Sequence, residues 1–93
     1  MNHLLRRKIV IMIERMRQEV YNYVKDHLDV TDNVKFTLDD VYVVWQVKVL
    51  QNWKALLSTS LPDGMYYELT YDGDKNKIYF DAYKKFENKS INV

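Results

Sequence analysis

A chain of 93 residues, 47% apolar and 29% charged, holds enough material for one hydrophobic core and excludes a second. Its formal net charge of +1 excludes a uniformly basic nucleic-acid binder and a wholly acidic DNA mimic alike, so electrostatic recognition must rest on local patches. With no cysteine, disulfides, thiolate nucleophiles and thiolate zinc sites are excluded together, and a reducing cytoplasm suits the composition.

From His3 to Leu28 the apolar residues Leu5, Ile9, Met12, Met16, Val20, Tyr23 and Leu28 recur at helical spacing, and Asn2 is available as an N-cap. One long amphipathic helix is predicted. The apolar run Ile9 to Ile13 is broken by Glu14, Arg15 and Arg17, too early for a secretion signal or a membrane span, so a cytoplasmic protein is expected. Val10 and Ile11 fall outside the main stripe and add surplus apolar surface. Either the sheet and the C-terminal tail cover it, or it makes a homo-oligomeric contact through the helix.

Residues 29–40 are rich in Asp, Asn and Thr, whose side chains bond nearby backbone and favour turns; Val34 and Phe36 form an extended piece or a plug over the core. Four strands then follow. Val41 to Leu50 places Val43, Trp45, Val47 and Val49 on one face; Lys54 to Leu61 places Ala55, Leu57, Thr59 and Leu61 on one face. A three-residue loop of Gln51, Asn52 and Trp53 pairs Leu50 with Lys54 and keeps both apolar sets together, whereas a two-residue loop would flip one of them. Pro62-Asp63-Gly64 marks a three-residue hairpin with Leu61 opposite Met65, and Ala55 opposite Tyr71. Gly73 to Asn76 closes the last hairpin with Asp72 opposite Lys77, Leu69 by Phe80 and Tyr67 by Ala82. The tail from Lys84 is polar, a fraying end or short helical turn with Phe86 returning to the core. The expected fold is α+β, α-β-β-β-β: one domain, 1–93, with a helix over about 3–28, a loop over 29–40, a four-stranded antiparallel meander over 41–83 and a tail over 84–93.

The same registers expose Tyr42, Val44, Gln46 and Lys48, Leu56 and Ser58, Tyr66, Glu68 and Thr70, and Tyr79, Asp81 and Tyr83 on the opposite face. Tyrosine combines rigid contact area with a polar end and is enriched at interfaces, so Tyr42, Tyr66, Glu68, Tyr79, Asp81 and Tyr83 are the candidate protein-binding residues. Aromatics that merely cover each other on a strand are the competing reading. Glu68 and Asp81 should be cross-strand neighbours, a potential acid/base dyad or half of a metal site unless Lys48, Lys54 or Lys77 relieves them. In the helix, Arg6, Arg7, Lys8, Arg15 and Arg17 stand against Glu14 alone; a solvated helix face is the first reading, and contact with nucleic acid or an acidic protein the alternative. Asp26, Asp29, Asp32, Asp39 and Asp40 against Lys35 form an acidic counterpart, suited to a basic partner or to head-to-tail assembly.

Asp72, Asp74 and Asn76 have the spacing that opens a calcium loop, but Lys77 replaces the required glycine and Tyr83 the closing glutamate, so a hairpin turn is expected. His3 and His27 are far apart on the helix. No catalytic triad, phosphate loop or nucleotide fingerprint is present, and a non-enzymatic protein without cofactor or metal is expected.

The pieces Val41-Tyr-Val-Val-Trp45, Leu50-Gln-Asn-Trp-Lys-Ala-Leu-Leu-Ser-Thr59, Asp63-Gly-Met-Tyr-Tyr-Glu68 and Asp81-Ala-Tyr-Lys-Lys85 resemble a small uncharacterised protein family of phages and prophages of Gram-positive bacteria. They cover about half the chain; Leu4 to Met16, Val47 and Val49 depart from the family pattern. The resemblance implies a context: an accessory protein in the cytoplasm of a bacterial host that binds a host or phage protein, inhibiting a defence or nucleic-acid-processing complex.

Overall fold

Helical spacing and strand alternation are both realised in the computed structural model, which describes residues 3–28 and 33–93. Helix α1 spans His3–His27 and buries Met16, Val20 and Val24, a single stripe at four-residue steps. Leu4, Val10 and Ile11 lie off that stripe and remain exposed. The expected cap Asn2 and the loop acids Asp29 and Asp32 lie outside the described residues.

One side chain fastens α1 to the chain that follows. Arg17 donates from Nε to the Val41 carbonyl at 3.1 Å and from Nη2 to the Leu38 carbonyl at 2.9 Å, while Nη1 meets Glu14 at 3.0 Å. Those carbonyls flank a short 3-10 turn, Leu38–Asp40, that leads into the first strand. The Asp40 carboxylate braces the turn, accepting from the Thr37 amide at 2.7 Å and from the Ser60 hydroxyl at 2.9 Å. Phe36 is buried and stacks on Tyr21 with ring centroids 5.6 Å apart, so it is the plug; Val34 is exposed.

The strands are β1 Val41–Val49, β2 Asn52–Thr59, β3 Met65–Asp72 and β4 Lys77–Lys84, antiparallel in the order β1-β2-β3-β4. The β3–β4 register matches expectation throughout, from Asp72↔Lys77 to Tyr67↔Ala82. Between β2 and β3 the parity matches but the register differs by two residues, with Ala55 opposite Leu69 and Leu57 opposite Tyr67. The loop is Ser60 to Gly64 rather than three residues, because Ser60 is held to the Asp40 carbonyl at 3.0 Å and the Leu61 amide to Thr59 Oγ1 at 3.2 Å.

The β1–β2 expectation is corrected. The connection is a two-residue turn of Leu50 and Gln51, with Val49 opposite Asn52, and the parity inversion it imposes is undone by a β-bulge between Val43 and Trp45. Val41 and Val43 keep their places against Thr59 and Leu57 in the core, but Trp45, Val47 and Val49 pair with Leu56, Lys54 and Asn52 and move to the face away from the helix. Gln46 and Lys48, expected on that open face, turn toward α1. The expected return of Phe86 to the core is also corrected: residues 85–93 carry no regular structure, and Phe86 is 92% exposed.

The core lies between α1 and the odd residues of β2 and β3: Ala55, Leu57 and Leu69 are fully buried against Met16 and Val20. Tyr23 extends it over β4, with ring centroids 5.7 Å from Tyr67 and 5.0 Å from Phe80. At the far end the two hairpin turns are stitched side by side. Gln51 Nε2 donates to Asp74 at 2.7 Å and the Gly73 amide to Asn52 Oδ1 at 3.0 Å; a Cβ at Gly73 would collide with the Gln51 carbonyl oxygen.

Leu57→Ala should cost about 2–5 kcal/mol in chemical denaturation, the range for a large-to-small change at a fully buried site. Asp40 supplies a pH dependence. The Thr37 amide and then the Ser60 hydroxyl stabilise its charged form and hold its pKa below the ordinary 3.8. A lowered folded-state pKa contributes stability that is complete above 3.8 and lost as pH falls through the folded value. Asp40→Asn should therefore lower the melting temperature at neutral pH, with the gap from the unsubstituted protein closing below pH 3.8.

Candidate functional site

Three rows of side chains cross the open face of the sheet, and strand pairing specifies their neighbours. Trp45, Leu56, Glu68 and Asp81 make the central row. Val47, Lys54, Thr70 and Tyr79 make the row beside it. On the other side Tyr42 pairs with Ser58 and Tyr66 with Tyr83. Neighbouring strands lie about 4.8 Å apart, so each row is a contiguous strip.

All six expected protein-binding residues are therefore on one face. Tyr42, Tyr79 and Tyr83 are 44–52% exposed, while Tyr66 and Glu68 are partly covered. The bulge at Val44 adds members that alternation alone places elsewhere: Trp45, Val47 and Val49, each at least 42% exposed. Only the bulge brings them there, and no glycine or other local signal in β1 announces it. The face is consequently apolar along β1 and carries the Glu68–Asp81 pair on β3 and β4.

Glu68 and Asp81 are cross-strand partners, and Lys54 Nζ sits 3.1 Å from Glu68 Oε1. Lysine thus relieves one carboxylate, and Asp81 is left without an ion pair among the described residues. An aspartate flanked on its own strand by Tyr79 and Tyr83 can receive a cationic side chain, since a guanidinium or ammonium gains from both the carboxylate and the aromatic faces. No group of three or more His, Asp or Glu among the described residues is arranged to hold a metal ion.

The basic candidates do not act as a set. Arg17 is the clamp described above, and Arg15 is paired with Glu19 at 2.8 Å. Arg6, Arg7 and Lys8 are exposed on the first half of α1. Of the acidic candidates, Asp40 is committed to the 3-10 turn, whereas Asp26 and Asp39 are exposed. Asp72 caps its own hairpin, its Oδ1 accepting from the amides of Asp74 and Lys75, and the Tyr71 hydroxyl donates to Asn76 Oδ1. His27 stacks on Tyr23 at the end of α1, a helix length away from His3. No helix among the described residues is long and apolar enough to cross a membrane.

The placement of Trp45 is open to a direct check. Trp45→Phe should remove the emission that acrylamide quenches readily and leave a bluer, less accessible Trp53 signal; equal quenching of the two single-tryptophan variants would contradict the bulged register.

Residues 13–93 match a family of unknown function, DUF6275, and the chain belongs to that family. No curated protein and no solved structure matches the chain.

Proposed function

We propose that this member of a family of unknown function is a non-enzymatic phage or prophage accessory protein that binds a host or phage protein through the open face of its sheet, thereby inhibiting a defence or nucleic-acid-processing complex. The observation that carries the reading is the composition of the uncovered face: Tyr42, Trp45, Val47, Tyr79 and Tyr83 are all more than 40% exposed on one side of a sheet whose other side holds the core. Aromatic anchors beside a few charged groups are the composition of protein interfaces. The unpaired Asp81 at the β4 side suits a partner that brings a lysine or arginine there, while Trp45 and Val47 suit an apolar contact. The phage context rests on the sequence resemblance alone. A bacterial cytoplasm is the corresponding location.

Replacing Tyr66 and Tyr83 together by alanine should abolish partner capture from a bacterial host extract while thermal unfolding stays cooperative; capture at wild-type level would refute the assignment. The nucleic-acid alternative now draws on Arg6, Arg7 and Lys8, because Arg15 and Arg17 have intramolecular partners. It requires a gel shift with single- or double-stranded DNA or RNA at low salt that weakens steeply as salt rises, and no shift at low salt eliminates it.

A further inference from the structure

The first half of α1 overhangs the sheet, and three depressions run into one another along it. The largest, about 580 Å3, lies between the helix and the stitched hairpin turns, with Leu5, Ile11, Met12, Leu50 and Trp53 in its wall. It shares Lys48 and Trp53 with a second of about 190 Å3 and Ile11 with a third of about 400 Å3. The charged side chains lining the three are Arg6, Arg7, Lys8, Lys48 and Lys54, and no Asp or Glu of the described residues is among them. The charged lining of an apolar groove is therefore basic, with Lys54 already paired with Glu68.

Two details of the groove wall are costly for an isolated domain. Trp53 Nε1 is buried without a hydrogen-bond partner, and a buried donor left unsatisfied loses its solvation without return. Leu50 adopts φ 56° at the tip of the β1–β2 turn, where glycine or asparagine is favoured, yet holds its side chain 78% exposed at the rim. Lys48 Nζ donates to the Leu50 carbonyl and so keeps a positive charge at the same tip.

We propose that this groove docks an acidic amphipathic segment of another protein, its apolar side chains seated between α1 and Leu50 and its flanking carboxylates met by Lys8, Lys48 and Arg7. Charge complementarity selects that occupant. The chain's own tail offers Phe86 and Ile91, but Lys84, Lys85 and Lys89 outnumber Glu87 there and would be repelled. A nucleic-acid backbone would find phosphate partners only at the rim and nothing in the apolar wall. A lipid surface would not enter a concavity. The groove meets the open face at Val47 and Lys54, which line its second depression, but Tyr66 and Tyr83 line none of the three, so substitutions there and at Ile11 separate the two readings.

The test is selection from a random twelve-residue peptide library displayed on yeast, with the full chain as bait. Enriched peptides should combine apolar residues with Asp or Glu, and their binding should weaken as salt is raised. It should fall about tenfold or more in the Lys8→Glu, Lys48→Glu double variant and in Ile11→Asp, and persist in the Tyr66→Ala, Tyr83→Ala variant. Circular dichroism melts of each variant confirm that the fold is kept. Failure to enrich any peptide, enrichment of basic or uncharged peptides, or binding indifferent to the groove substitutions would overturn the proposal. So would groove-dependent binding of phosphatidylglycerol vesicles or of DNA in place of peptides, or concentration-dependent light scattering abolished by Ile11→Asp, which would make a second copy the occupant.

Discussion

A β-strand can present a residue to one face of its sheet or the other and nothing between, and the arrangement of this molecule follows from how β1 meets that restriction. Its tight connection to β2 reverses the parity of the whole strand, which would carry Val41 and Val43 out of the core. The extra residue between Val43 and Trp45 restores them. Val41 is then 1% exposed and closes the core above Arg17, whose guanidinium holds the Val41 and Leu38 carbonyls. Beyond the bulge the compensation is absent, and Trp45, Val47 and Val49 are delivered to the open face.

That single inserted residue links the two candidate surfaces. It makes the open face more apolar than alternation implies, and it turns Gln46 and Lys48 toward the helix, where Lys48 becomes part of the groove rim. The groove also needs the helix to extend beyond the sheet's buried stripe, as it does at Leu4, Val10 and Ile11. A radius of gyration of 15.2 Å, against about 12 Å for a compact chain of this length, reflects the overhanging helix and the extended tail. Substantial apolar surface is thus held away from the one core.

Legibility from the amino-acid sequence followed the locality of the interactions. The β3–β4 hairpin was readable in full because its turn is made locally: Asp72 accepts from the Asp74 and Lys75 amides, and Asn76 takes the left-handed conformation that asparagine tolerates. The loop after β2 was readable in position but not in length, since Ser60 is set by Asp40, twenty residues away. The β1–β2 turn was not readable: Leu50 in a left-handed conformation is contrary to its intrinsic preference, and no residue in β1 marks a bulge. The candidate face divides the same way. Tyr66, Tyr79, Tyr83 and the Glu68–Asp81 pair come from the readable strands, the tryptophan and valines from beyond the bulge in β1, and the groove left a trace only in the apolar surplus of Val10 and Ile11.

The meander has a kinetic side. Every strand pairs with its neighbour in sequence, across connections of two, five and four residues, so no pairing waits for a distant part of the chain to arrive. Hairpins of this kind close in microseconds, and sheets built from them avoid the slow search of non-local β topologies. The helix, by contrast, is joined to the sheet across longer separations, the Arg17 clamp reaching carbonyls 21 and 24 residues away. Strand pairing in this protein therefore asks little of loop-closure entropy, and attachment of the helix asks more.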